Sequence, residues 1–184
     1  THQEQLDYNN SLCDTEDEKQ YIIAARPAKD PNEDDGEDFS VKGFISGLTK
    51  LEVGAAKFLS RYEGTLYLEG LADLSYEVAK ALSIHEGALV LNGLIELSDE
   101  AAKALLAHKG KVLSLDGLTE LSDAAAESLS KHEGDLYLNG LTELGDEVAK
   151  ALSVHKWDLL LNGLTELSDA AAESLSKHEG DLYL

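Results

Sequence analysis

The chain has 184 residues, with 36 acids against 15 bases and a formal net charge of −21. That balance argues against a nucleic-acid partner or an anionic membrane, because phosphate recognition needs clustered Lys and Arg; cations and basic proteins fit better. One cysteine, Cys13, excludes an internal disulfide and a cysteine-built metal site, and no apolar run approaches the length of a transmembrane segment.

Residues 1–40 do not repeat. Tyr21-Ile22-Ile23-Ala24-Ala25 is their strongly apolar run and is predicted to be a strand capping the periodic region that begins at residue 41, shielding an edge that would otherwise be open. The acidic stretch Asp30 to Asp38 places Asp30, Asn32, Asp34 and Asp38 in an order like a calcium loop. Gly36 comes one place late for that loop, however, and no Glu follows at the twelfth position. The segment is therefore read as solvated and acidic, partly disordered or capping, with weak calcium binding as the alternative. An opening at Thr1 without methionine points either to processing, as after removal of a signal peptide, or to a fragment. A stop on an apolar run at Leu184 points to further chain beyond it.

From residue 41 onward the sequence is periodic. The pair Gly-Leu begins at Gly47, Gly70, Gly93, Gly117, Gly140 and Gly163, in steps of 23 residues with one step of 24. The stretch Leu118–Leu138 returns letter for letter as Leu164–Leu184. A fixed period of this size marks a solenoid.

One unit, Leu94 to Gly117, shows the physics. Ser98 can cap a helix, Asp99 and Glu100 suit the positive end of its dipole, and Ala101 to Leu105 have high helix propensity. Leu97, Ala101, Leu105 and His108 share one helical face. Gly110 is expected to end the unit's helix in a left-handed conformation. The alternation Leu113-Ser114-Leu115 predicts a strand with both leucines inward, and Asp116-Gly117 turns the chain. Each unit is thus one short strand plus a helix of roughly two to three turns, unable to bury its apolar face until the next unit stacks on it. Ala79, Ala102, Ala125, Ala149 and Ala171 suit close approach of helix to sheet.

The leucine pairs 66/68, 89/91, 113/115, 136/138, 159/161 and 182/184, with Leu71, Leu94, Leu118, Leu141 and Leu164 three residues on, resemble the leucine-rich repeat family in a short bacterial-type form. The resemblance implies an α/β solenoid: a right-handed coil of about six units over residues 41–184, the last incomplete, whose strand face is the usual ligand surface. The family carries Asn or Cys where this chain has the third leucine; here Asn92, Asn139 and Asn162 stand two residues earlier.

Tyr67, Val90, Ser114, Tyr137, Leu160 and Tyr183 are predicted to point outward from the strands, flanked by Asn92, Asp116, Asn139 and Asn162 on one side and Asp135, Asp158 and Asp181 on the other. A tyrosine and aliphatic stripe edged by Asp and Asn is a candidate binding surface. His85, His108, His132, His155 and His178 recur at one position, which Tyr62 takes in the first unit. They are read as structural rings over helix ends, since a metal site needs converging ligands rather than one per unit. Trp157 replaces the recurrent glycine and is a candidate partner anchor; a glycine-type left-handed turn there would have to be rebuilt. Lys111 is the extra residue in the long step, expected to be absorbed as a bulge or longer turn.

No nucleophile, base and orienting group converge in this pattern, so no catalytic role is expected. The expected role is a non-catalytic binding or adhesion module, recognising protein or glycan, of an extracellular or surface-displayed bacterial protein. The alternative is a structural subunit that self-assembles as a homo-oligomer or filament.

Overall fold

The computed structural model describes residues 47–184. The expected cap strand at residues 21–25, Cys13, and the acidic loop bearing Asp30, Asn32, Asp34 and Asp38 lie outside the described residues.

Helices and strands alternate along the whole described chain. They run α1 (Val53–Leu59), β1 (Leu66–Tyr67), α2 (Tyr76–Leu82), β2 (Leu89–Val90), α3 (Asp99–Leu105), β3 (Val112–Ser114), α4 (Asp123–Leu129), β4 (Asp135–Tyr137), α5 (Asp146–Leu152), β5 (Leu159–Leu160), α6 (Asp169–Leu175) and β6 (Leu182–Tyr183). The strands form one open parallel sheet in sequence order. This is an α/β repeat solenoid, one strand and one helix per period.

Each helix has seven residues, two turns, the short end of the expected range. Helices this short are marginal alone, so they hold through capping and packing. Ser75, Ser98, Ser122 and Ser168 accept the N–H of the residue three places on, at 3.0–3.3 Å. Gly145 stands at the same position of α5 with the same backbone conformation and no side-chain cap.

Packing follows the alternation. Leu66, Leu68, Leu89, Leu91, Leu113, Leu115, Leu136, Leu138, Leu159 and Leu161 are wholly buried, as are the helix alanines 79, 102, 125, 149 and 171. After each strand from β1 to β5 a tight turn, such as Leu94 N–H to Leu91 O at 3.1 Å, returns a further leucine to the same core. Lys111, the extra residue, sits in the turn before β3. Its carbonyl accepts the N–H of Asp135, and Leu113 still pairs with Leu136 in register.

The glycines after the helices correct one expectation. Among the described residues only Gly64 has positive φ, at 123°. Gly87, Gly110, Gly134 and Gly180 adopt ordinary backbone, so left-handed freedom is not why they are glycine. The reason is proximity: a Cβ on Gly110 would strike the carbonyl of Gly87 in the preceding coil and lie 2.7 Å from the ring of its own His108. Backbone stacks on backbone there, and a side chain has no room.

Candidate functional site

The sheet builds the candidate surface by register alone. Tyr67 pairs with Val90, Val90 with Ser114, Ser114 with Tyr137, Tyr137 with Leu160 and Leu160 with Tyr183. All six outward-expected residues therefore form one unbroken column across the strands; the inward neighbours of the first five are buried in the core, while Leu182 is half-buried and Leu184 exposed at the last rung. Tyr67, Val90, Tyr137 and Leu160 are half-buried, Tyr183 is exposed and Ser114 is buried. Tyr137 and Tyr183, spaced two strands apart, flank Leu160.

Beside this column, Asp135 opens β4 while Asp158 and Asp181 immediately precede β5 and β6, joined through Leu136 N–H to Asp158 O and Leu159 N–H to Asp181 O, each 2.9 Å. Partial burial, and then the negative fields of Asp135, Asp158 and Asp116, push the Tyr137 hydroxyl above its usual pKa, so it stays a neutral donor. The ion pairs Lys150–Glu147, within α5, and Lys177–Glu173, at the end of α6, lie on the helix side instead.

The opposite flank is a hydrogen-bonded ladder. Asn92 Oδ1 accepts the Asp116 N–H at 3.1 Å; Asp116 Oδ1 accepts the N–H and Nδ2 of Asn139 at 2.9 and 2.8 Å; Asn139 Oδ1 accepts the N–H and Nδ2 of Asn162 at 3.1 and 2.8 Å. Ser114, the polar member of the outward column, closes the first rung by donating to Asn92 Oδ1 at 2.7 Å and Asp116 Oδ2 at 3.1 Å. These side chains satisfy loop backbone that no strand pairing reaches. The same residues that edge the surface thus join coil to coil. The sequence marks them by Asn or Asp recurring immediately before Gly-Leu, but hides which atoms they serve.

Trp157 adopts ordinary backbone, so no left-handed turn had to be rebuilt. What changed is the neighbouring ring. At Gly87, Gly110 and Gly180 the histidine of the same coil occupies the space a Cβ would need, His85 Nε2 lying 2.8 Å from a Cβ on Gly87. His155 instead turns Nδ1 to the Ser130 carbonyl at 3.2 Å, and the Trp157 indole lies 5.8 Å from the His155 ring at 51°. The tryptophan packs on its own coil and keeps 38% of its surface exposed.

Among the described residues, no group of three or more His, Cys, Asp or Glu side chains is placed to hold a metal ion, and no helix is long and apolar enough to cross a membrane. No protein-family model, curated protein or solved structure matches the chain.

Proposed function

We propose that the chain is a non-catalytic binding module of leucine-rich-repeat type, a right-handed coil that recognises a protein or glycan through its strand face at a cell surface or outside the cell. The supporting observation is the in-register column Tyr67–Val90–Ser114–Tyr137–Leu160–Tyr183. Tyrosine offers apolar area with a hydroxyl at its tip and little conformational entropy to lose, which suits recognition. A rigid ladder of rungs holds these side chains at fixed spacing, so little ordering cost attends binding. The repeat pattern supports the family reading, with the asparagine ladder displaced by two residues yet still bonding coil to coil.

The test is a screen of immobilised protein against glycan and peptide arrays, beside a variant carrying Tyr137→Ser, Leu160→Ser and Tyr183→Ser. A ligand bound by the parent and lost in the folded variant is the expected outcome. Hits unaffected by the three substitutions would remove the strand face as the site. A mass that grows with concentration and no ligand at all would favour the self-assembling subunit.

A further inference from the structure

The largest cluster of buried titratable groups lies away from the strand face, in the turns after the helices. His85, His108, His132 and His155 are at most 1% exposed, and His178 is half-buried. Ring centroids of His85 and His108 are 6.2 Å apart, those of His108 and His132 5.3 Å, and those of His155 and His178 6.2 Å, with planes within 17° of parallel.

Hydrogen bonding fixes where some of these rings carry a proton. Gly64 and Gly87 present carbonyls to His85 Nε2 and His108 Nε2, each at 3.0 Å, and the Ser130 carbonyl faces His155 Nδ1. A carbonyl only accepts, so each of these nitrogens carries the N–H. The second nitrogen of each, and both nitrogens of His132 and His178, make no hydrogen bond of good geometry to the protein.

A second proton on His108, His132 or His155 would sit buried beside another imidazole. The surrounding groups give little relief. Glu86, Lys109, Glu133, Lys156 and Glu179, next in the chain, and Lys131 and Lys177, just before, are exposed to water. The helices contribute Leu82, Leu105, Leu129 and Leu152, whose carbonyls take only the histidine backbone N–H. Asp135 of β4 is the carboxylate that acts on His155, and the Trp157 ring is its other neighbour.

We propose that this column is an acid-sensitive lock, in which proton uptake centred on His132 and its neighbours His108 and His155 opens the coils that meet there. Burial comes first among the causes that lower all three, with a neighbouring histidine adding to it, and it brings His108 and His132 down to about 4. Which state binds the proton first sets the sign. Below the ordinary value of about 6.5 the unfolded chain takes protons that the folded column refuses until about 4. Stability is thus fully present above 6.5 and is lost as pH falls through that window. The acidic surface acts the other way, because protonating carboxylates relieves the self-repulsion of a chain carrying −21. A fall in stability on acidification is consequently a signature of the column and not of the net charge.

The experiment is urea unfolding of the full chain between pH 7.5 and 5.0 at constant ionic strength, with His132→Leu alongside. The unfolding constant of the parent is expected to rise by more than about tenfold per pH unit near pH 5.5, the limit for one proton. His132→Leu should lose up to one proton of that dependence. Histidine C2–H proton spectra of the folded parent give a second reading that needs no variant, with the central rings silent down to pH 5. Overturning results would be a midpoint that is flat or rises with acid, parallel curves for parent and variant, or central rings that titrate near 6.5 in the folded protein.

Discussion

Ser122 serves two helices at once: its Oγ accepts the N–H of Ala125 at 3.0 Å, and its hydroxyl donates to Asp99 at the start of the helix one coil earlier. Ser168 repeats the arrangement with Ala171 and Asp146. Between them Gly145 offers neither bond, although Asp123 waits one coil earlier in the matching place. Gly145→Ser should therefore add a cap and a bridge while also stiffening the unfolded chain. A Cβ there meets nothing within 4 Å, and φ is −65°. The expected gain is about 0.5–1 kcal/mol, read as a higher urea midpoint. A lower midpoint would mean the bridge does not form.

The glycines that stack coil on coil should behave in the opposite way. Gly110→Ala forces a methyl group against the Gly87 carbonyl and the His108 ring. Overpacking of this kind costs about 1–3 kcal/mol, whereas Gly145→Ala should stay within about 0.5 kcal/mol of the parent or gain. Equal urea midpoints for the two variants would remove the stacked-backbone explanation.

Inside and outside positions on one strand make the sharpest pair. Leu136→Ala, at a wholly buried site, should cost about 2–5 kcal/mol, and Leu159→Ala the same. Tyr137→Ala, half-buried beside it, should cost much less. Thermal melts of the three variants check the ranking; a Tyr137 variant weaker than Leu136→Ala would reverse the sheet's faces.

The loop ladder predicts a chemical preference. Asn139→Leu leaves the exposed Asn162 N–H to water in place of its acceptor, for a loss of about 0.5–1.5 kcal/mol. Asn139→Asp keeps an oxygen in place, as Asp116 already does at the preceding rung, and should cost less. Amide exchange at Asn162 separates them: faster in the leucine variant, little changed in the aspartate one.

Most of the architecture was legible because the repeat forces it. Leu66/Leu68 and its successors alternate, Ser98 and its counterparts precede alanine-rich runs, and both signals are local. The reason for the glycines was not local. Gly110 looks like a helix terminator in its own coil, and only stacking reveals the Gly87 carbonyl beneath it. The asparagines misled similarly: in one unit Asn139 is an outward polar residue at the edge of a candidate surface, while across two units it is a bridge. What a single unit encodes can be read from it; what two units share must be seen in three dimensions.

The sheet order β1 to β6 has a consequence for how such a chain is assembled. Every strand meets the one made a single period before it, as Leu136 meets Leu159, so loops closed during folding span about one repeat however many repeats there are. Loop-closure entropy rises only with the logarithm of loop length, and here the length is constant. Each added unit docks for the same entropic cost as the last, and contacts remain short-range relative to the growing chain. Duplication of the kind recorded in Leu118–Leu138 and Leu164–Leu184 therefore lengthens the protein without making any one step of its folding harder.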